Sequence, residues 1–310
     1  MKQLSVILLG SMLCFAAPAA GAQPASILEI PFDLEHNQIL LPVWVNGSGP
    51  YRMILDTGVT PSVIHLPTAY AAQIEVGASP IGNASGGGGD EVPLYLAPLI
   101  NLELGNQAFG DVLAVAMDMS KLADRLGGPL DGILGYSFLK DRVVQIDYPA
   151  RIVRLYPDDQ WPPPAQPEDP DSFLERPLDF VEGDIIPLLK DFQINGKAAP
   201  VSLDTGSSHT LILYPRAVAE LALQEERAQA KDTTSVGARG EHTISIGRVD
   251  ALGIGSLIRH DQEIVFSDPS QDNTEHWGNL GNGYLQHYIL TLDYRRKRLR
   301  LERSTITQSE

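Results

Sequence analysis

A five-residue pattern occurs twice in this 310-residue chain, as Ile54-Leu55-Asp56-Thr57-Gly58 and as Ser202-Leu203-Asp204-Thr205-Gly206. Each copy ends an apolar run abruptly in a carboxylate, a hydroxyl and a glycine. The run reads as a buried strand and Asp-Thr-Gly as turn chemistry, so each carboxylate is expected where a strand leaves the core. One such tripeptide is a weak signal, but the surroundings of the two copies also match. Glu29-Ile30-Pro31-Phe32-Asp33 precedes Glu175-Arg176-Pro177-Leu178-Asp179 by 146 residues, and Val45-Asn46-Gly47 precedes Ile194-Asn195-Gly196 by 149. The two Asp-Thr-Gly copies lie 148 apart, as do Pro67 and Pro215. The offset returns to 146 for Gly132-Ile133-Leu134-Gly135 against Gly278-Asn279-Leu280-Gly281, for Leu139 against Leu285, and for Asp147-Tyr148 against Asp293-Tyr294. So small a drift along the chain means two copies of one supersecondary plan, hence two similar lobes.

The first residues are not part of that plan. Met1-Lys2 gives a positive start, Leu4 to Ala17 an apolar stretch short for a bilayer span, and Ala20-Gly21-Ala22 a small-residue cleavage site. Residues 1–22 are expected to be a secretory signal peptide cut after Ala22, which makes the mature protein secreted or periplasmic. The only cysteine, Cys14, falls inside that segment and follows the bulky Leu13, so disulfides, a thiol nucleophile and cysteine-bound metal are not expected. No other run suggests a membrane helix. The net charge of −16 repels phosphate backbones and anionic lipids, which argues against nucleic acid and membrane surfaces as partners.

The first lobe, residues 23–157, reads as β-rich. Ile27 to Phe32 and Ile39 to Val45 flank a polar turn at His36-Asn37, and Val43-Trp44-Val45 runs into Asn46-Gly47, a strong hairpin signal. A strand returns to Asp56, another covers Ser62 to Ile64, and Pro67 opens a short helix over Thr68 to Gln73. The run Gly86, Gly87, Gly88, Gly89 lacks the Gly-Lys-Ser/Thr of a phosphate loop and reads as a loop or hairpin tip. Strands around Leu94 to Leu104 and Val112 to Met117 follow. A closing hairpin then runs from Val143 to Leu155, with its turn at Pro149-Ala150, and Asp147-Tyr148 and Asp293-Tyr294 read as turn starts.

From Pro157 to Ser172 the composition shifts to prolines set among five acidic residues. Residues 158–172 are therefore expected to be a semi-rigid linker. The second lobe, residues 173–304, repeats the plan, with a helix from Pro215 to about Leu223 and a glycine-bearing loop at Val236 to Gly240 in place of the glycine run. Residues 305–310 read as a tail.

The paired Asp-Thr-Gly, each followed some 75 residues on by Leu134-Gly135 or Leu280-Gly281, resembles the pepsin and retropepsin aspartic proteases, in the bacterial secreted form that carries both lobes in one chain. The resemblance implies an all-β fold of two similar β-barrel lobes with the active site in the cleft between them. It implies Asp56 and Asp204 as the catalytic pair, a peptide or protein substrate, no cofactor and no metal. Both halves of the site lie in one chain, so a monomer is expected over a homodimer.

The chemistry needs these residue types. Two carboxylates about 3 Å apart do not both ionise, so they share a proton and one is pushed to a higher pKa. One then takes a proton from an intervening water while the other donates one to the scissile amide. Gly58 and Gly206 let backbone N–H groups approach the carboxylates, and by resemblance the hydroxyls of Thr57 and Thr205 bond across the axis to the opposite loop. The first loop continues with Val59 where the family has Ser or Ala, whereas the second has Ser207, whose hydroxyl could donate to a carboxylate. Unequal carboxylates and some crowding by Val59 are the expected result. Gly86 to Gly89 is the candidate flap, an unusually floppy one, and Tyr95 lies near a flap tyrosine's place without a matching motif.

Other constellations are weaker. The seven histidines show no His-Glu-x-x-His or His-x-x-x-His spacing, and no Gly-x-Ser-x-Gly elbow occurs. His209 is the histidine nearest a candidate carboxylate and reads as a partly exposed loop residue. Asp131, which has Trp277 as its counterpart, is assigned a structural role. Beside the endopeptidase stands a second reading, a peptide-binding module of the same fold with little or no turnover. A strand-capping role for Asp-Thr-Gly accounts for one copy, not for two at a near-constant offset.

Overall fold

A computed structural model describes residues 26–157, 160–181, 185–268 and 275–304. The expected leader and tail lie outside them. Strands dominate the described residues, with six short helices among them. Among the described residues no helix is long and apolar enough to cross a membrane.

Each lobe is a strongly curved, mostly antiparallel sheet with two parallel pairings, opened by a tight hairpin. Asn46-Gly47 and Asn195-Gly196 turn these hairpins with φ of 53° and 71°, and 49° and 76°. Such left-handed pairs are why Asn-Gly is favoured there. In the second lobe the ring closes. Ile186–Ile194 pairs with Lys197–Leu203 and also with Gly240–Ile254, and the sheet returns through Leu257–Phe266, Leu211–Leu213 and Gly278–Leu280. The first lobe has the same ring, except that the strand equivalent to Leu257–Phe266 is broken at Leu113 into Gln107–Val112 and Ala114–Met117. Two β-barrel lobes are therefore present, as the duplication predicts. The helices start where proline or strand exit dictates, at Leu66–Ala71 and Pro215–Leu221. A further helix, Gln224–Gln229, follows where the second had been expected to end.

A six-stranded sheet joins the lobes, in the order Leu28–Pro31, Ile152–Tyr156, Val143–Asp147, Tyr288–Asp293, Arg298–Arg303, Phe173–Pro177. Its middle register sets Gln145 opposite Thr291, its own counterpart 146 residues on, so the pseudo-twofold axis passes between them. The flanks repeat the symmetry. Glu29 pairs with Arg154 at 2.7 Å, and Glu175 with Arg300 at 3.3 Å.

The proline-rich linker lies on the edge of this sheet rather than standing clear of it. Buried Arg300 donates from Nη2 to the carbonyls of Pro162 (2.7 Å) and Pro163 (3.0 Å), and Trp161 stacks against Arg298 at 4.3 Å. A proline run lacks the N–H groups to build a ladder of its own, and its carbonyls remain open to a guanidinium with spare donors.

Candidate active site

The two Asp-Thr-Gly loops meet at the axis. Ser48–Leu55 ends beside Gly132–Leu134, and the Asp56 N–H donates to the Leu134 carbonyl at 3.0 Å. Lys197–Leu203 ends beside Gly278–Leu280, and the Asp204 N–H donates to Leu280 at 3.0 Å. The Leu-Gly segments are thus the floors on which the two Asp-Thr-Gly loops are laid. Their glycines make room: a Cβ on Gly135 would come within 2.7 Å of Val59 Cγ1, and one on Gly281 within 2.8 Å of Ser207 Oγ.

The loops are locked to each other by their threonines. Thr57 Oγ1 donates to the Leu203 carbonyl (2.7 Å) and accepts from the Thr205 N–H (3.1 Å); Thr205 Oγ1 donates to Leu55 (2.8 Å) and accepts from the Thr57 N–H (3.0 Å). All four groups are buried, so each loop's backbone depends on the other lobe for satisfaction. Gly58 N–H donates to Asp56 Oδ1 at 2.7 Å and Gly206 N–H to Asp204 Oδ1 at 3.0 Å. Each glycine also faces the opposite carboxylate. A Cβ on Gly206 would fall 2.0 Å from Asp56 Oδ2, and one on Gly58 2.9 Å from Asp204 Oδ1.

The two carboxylates are close enough to share a hydrogen bond. Burial and then the Asp204 charge push Asp56 up to about 8. Burial raises Asp204 as well, opposed by the Gly206 amide, the Asn279 side chain and the Ser207 amide. The pair therefore holds one proton over a wide pH range and titrates as a unit.

Several expectations are corrected here. The Ser207 hydroxyl does not donate to Asp204; it has no hydrogen-bond partner among the described residues and is tucked against Gly281. The inequality of the carboxylates comes instead from Asn279, whose Nδ2 donates to Asp204 Oδ2 at 3.2 Å. Val59 does not crowd the dyad. Its side chain packs on an apolar cluster of Leu40, Ile54, Val63 and Ile133.

The glycine run is not free-standing. Gly88 bridges to Arg239, the Arg239 N–H donates to the Gly87 carbonyl (2.8 Å), and the Asp90 N–H donates to the Arg239 carbonyl (2.9 Å). The run thus meets the tip of the second lobe's long hairpin, beside Ala84, Val92 and Ala238 on the cluster that holds Val59. Tyr95 packs on the main core and is not at that tip. Asp131 is structural as read, accepting from the Arg52 N–H (2.8 Å) and Thr68 Oγ1 (2.7 Å).

His209 is half-buried and lines a cavity of about 480 Å³ with Asn37, Arg125, Arg151, Ser208 and Glu263. Burial and the nearby Arg125 charge lower its pKa. A second cavity, about 1070 Å³, lies by Thr60, Pro61 and Lys140. Neither is lined by Asp56 or Asp204, so volume alone does not mark this site; the carboxylate pair does. No cluster of three His, Cys, Asp or Glu residues suited to a metal occurs among the described residues.

Sequence reading missed the polar residues that brace the loops. Asn282 Nδ2 donates to the carbonyls of Asn37 (2.6 Å) and Thr205 (2.7 Å), and its Oδ1 accepts from Tyr148 (2.6 Å). Gln38 Nε2 donates to the Gly206 carbonyl at 2.7 Å. The one available signal was Asn279 standing where the first copy has Ile133.

Fold and site together define an aspartic dyad shared between two halves of one chain. The aspartyl protease family model matches residues 41–138 and 191–287, one stretch in each lobe and well over half the sequence, and the chain belongs to that family. Among solved structures it is similar to a retropepsin-like aspartic protease from Rickettsia conorii, at 17% identity and a TM-score of 0.34, over 42% of this chain and 92% of that one. Comparison with curated proteins found no match.

Proposed function

We propose that the protein is an aspartic endopeptidase in which Asp56 and Asp204 activate one water to hydrolyse a peptide bond. The observation that carries this reading is the close carboxylate pair, Asp56 buried and Asp204 half-buried, on loops held by reciprocal threonine bonds. A protein that only bound peptides would gain nothing from two close carboxylates, whose repulsion costs stability. In the first step the ionised carboxylate takes a proton from water, the oxygen adds to the scissile carbonyl carbon, and the protonated carboxyl gives its proton to the carbonyl oxygen. The resulting gem-diol collapses with proton transfer to the leaving amine. Neither metal nor covalent intermediate is needed. The two hairpin tips, meeting beside the Val59 cluster, are well placed to cover an extended peptide. Export is part of the proposal, with a leader cut after Ala22 and action outside the cytoplasm as a monomer.

The test is cleavage of a mixed peptide library across pH 3 to 8, by the mature chain and by Asp56→Asn and Asp204→Asn, with and without pepstatin. Each single variant is expected to abolish cutting, a loss of ~10⁴-fold or more, since the two groups act as one unit. Peptides that bind the parent but emerge intact would instead make the cleft a receptor.

A further inference from the structure

We propose that Asn279 is a positioning residue that fixes Asp204 as the ionised member of the pair, making Asp204 the base and Asp56 the acid of the first step. This inference rests on the endopeptidase reading for its chemistry, though not for its test.

The argument begins with the orientation of one amide. Asn279 Oδ1 receives Ser202 Oγ at 2.9 Å and Tyr214 Oη at 3.0 Å, and lies 3.1 Å from His276 Nε2. Two hydroxyls donate to one oxygen and an imidazole nitrogen lies against it, so the amide is held with its NH₂ toward Asp204 Oδ2, 3.2 Å away. A flipped amide would set oxygen against carboxylate and turn its NH₂ toward the hydroxyls that now donate to its oxygen. The NH₂ group can donate but not accept, so it favours the carboxylate over the carboxylic acid at Asp204.

The arrangement belongs to one lobe only. At the positions equivalent to Asn279, Ser202, Tyr214 and His276, the first lobe has Ile133, Ile54, Leu66 and Leu130. Three of these four sit in or beside the apolar cluster under Val59, and none offers Asp56 a donor. The fold brings two chemically equal aspartates to a twofold axis, and four substitutions in one lobe make them unequal. The other titratable groups facing the pair do not reverse this. Tyr148 and Tyr294 are both held in the neutral form by burial, one near each carboxylate, and His276 lies on the far side of Asn279.

The test reads each carboxylate alone. Aspartate labelled with ¹³C at the carboxyl is titrated by NMR in Asp56→Asn, where Asp204 is the survivor, and in Asp204→Asn, where Asp56 is. Adding Asn279→Leu is expected to raise the lone Asp204 by about one pH unit, the scale of one lost hydrogen bond to a charge, and to leave the lone Asp56 in place. Asn279→Asp, which keeps the shape and still accepts from the Ser202 and Tyr214 hydroxyls, should move Asp204 further in the same direction. That second variant carries the experiment if the leucine disrupts packing. A lone Asp204 that does not move, or a lone Asp56 that moves equally, overturns the proposal. No turnover is needed for this titration, so an inert protein with a shifted Asp204 would sink the endopeptidase reading and spare this one. In an active protein, the acid limb of the kcat/KM profile should rise by about the same unit in Asn279→Leu.

Discussion

The two lobes share backbone plan and differ in what fills it. Around the first loop the wall is apolar: Ile54, Val63 and Ile133 in one cluster, and Tyr136 stacked edge-on with Tyr294 at 5.9 Å. Around the second, Ser202 and Asn279 replace the isoleucines, and Asn282 takes the place of Tyr136, bonded to Tyr148 at 2.6 Å. Tyr148 and Tyr294 are counterparts, yet only the first has a partner for its hydroxyl among the described residues. The interlobe sheet shows the same contrast. Arg154 keeps 20% of its side chain exposed, whereas its counterpart Arg300 keeps 1%. Symmetry is enforced where the loops must meet and abandoned where chemistry or sequestration asks for different surroundings.

That contrast can be broken in order of size. The greatest effect should come from ionisation. Asp56 holds in the folded protein a proton that an unfolded chain releases near its ordinary value of 3.8, so stability falls as pH rises from about 4 to about 8. The slope approaches about 1.4 kcal/mol per pH unit at full one-proton difference. Asp56→Asn should flatten it, which denaturant titrations at pH 5 and pH 8 would read; a parent equally stable at both would contradict the shared proton.

Next come the two arginines. Arg300→Leu strands buried Glu302 and should cost ~3 kcal/mol, while Arg154→Leu, at a wetter pair, should cost ~1 kcal/mol or less in urea unfolding. Third are the loop glycines. Gly206→Ala drives a methyl into Asp56 and is expected to reduce kcat ~100-fold, the scale of an ångström's displacement in a catalytic group. Gly58→Ala has nearly an ångström more room and should lose less. The smallest difference lies between the tyrosines: Tyr148→Phe should lose ~1 kcal/mol by differential scanning calorimetry, and Tyr294→Phe close to none.

The duplication was legible because it is written in turn chemistry. Asp-Thr-Gly, Asn-Gly and Leu-Gly mark places where the backbone needs particular residues, so spacing alone gave two lobes, and the resemblance to aspartic proteases then paired Asp56 with Asp204. The asymmetry was not legible in that way. Asn279 interrupts a hydrophobic pattern, but its meaning depends on Ser202, Tyr214 and His276, and Ser202 lies 77 residues away. The packing of the linker was hidden for a related reason: its composition reports what it cannot bury, and says nothing of a distant guanidinium that meets its carbonyls. The glycine run read as loose because glycine leaves the chain free, yet the absence of side chains is also what lets the opposite hairpin approach Gly87 and Gly88.

The register at the centre of the interlobe sheet carries one more consequence. A strand pair in which Gln145 faces Thr291, each the other's counterpart, is an isologous contact, the kind two copies of a single half would make on their own. The fold thus preserves the geometry of a homodimer inside a single chain, as a fused gene duplication would leave it. Covalent tethering acts on such a pair as local concentration, at the millimolar scale for a short connector. Freed from the need to recognise itself, each half could then diverge, and the polar second lobe is what that freedom looks like.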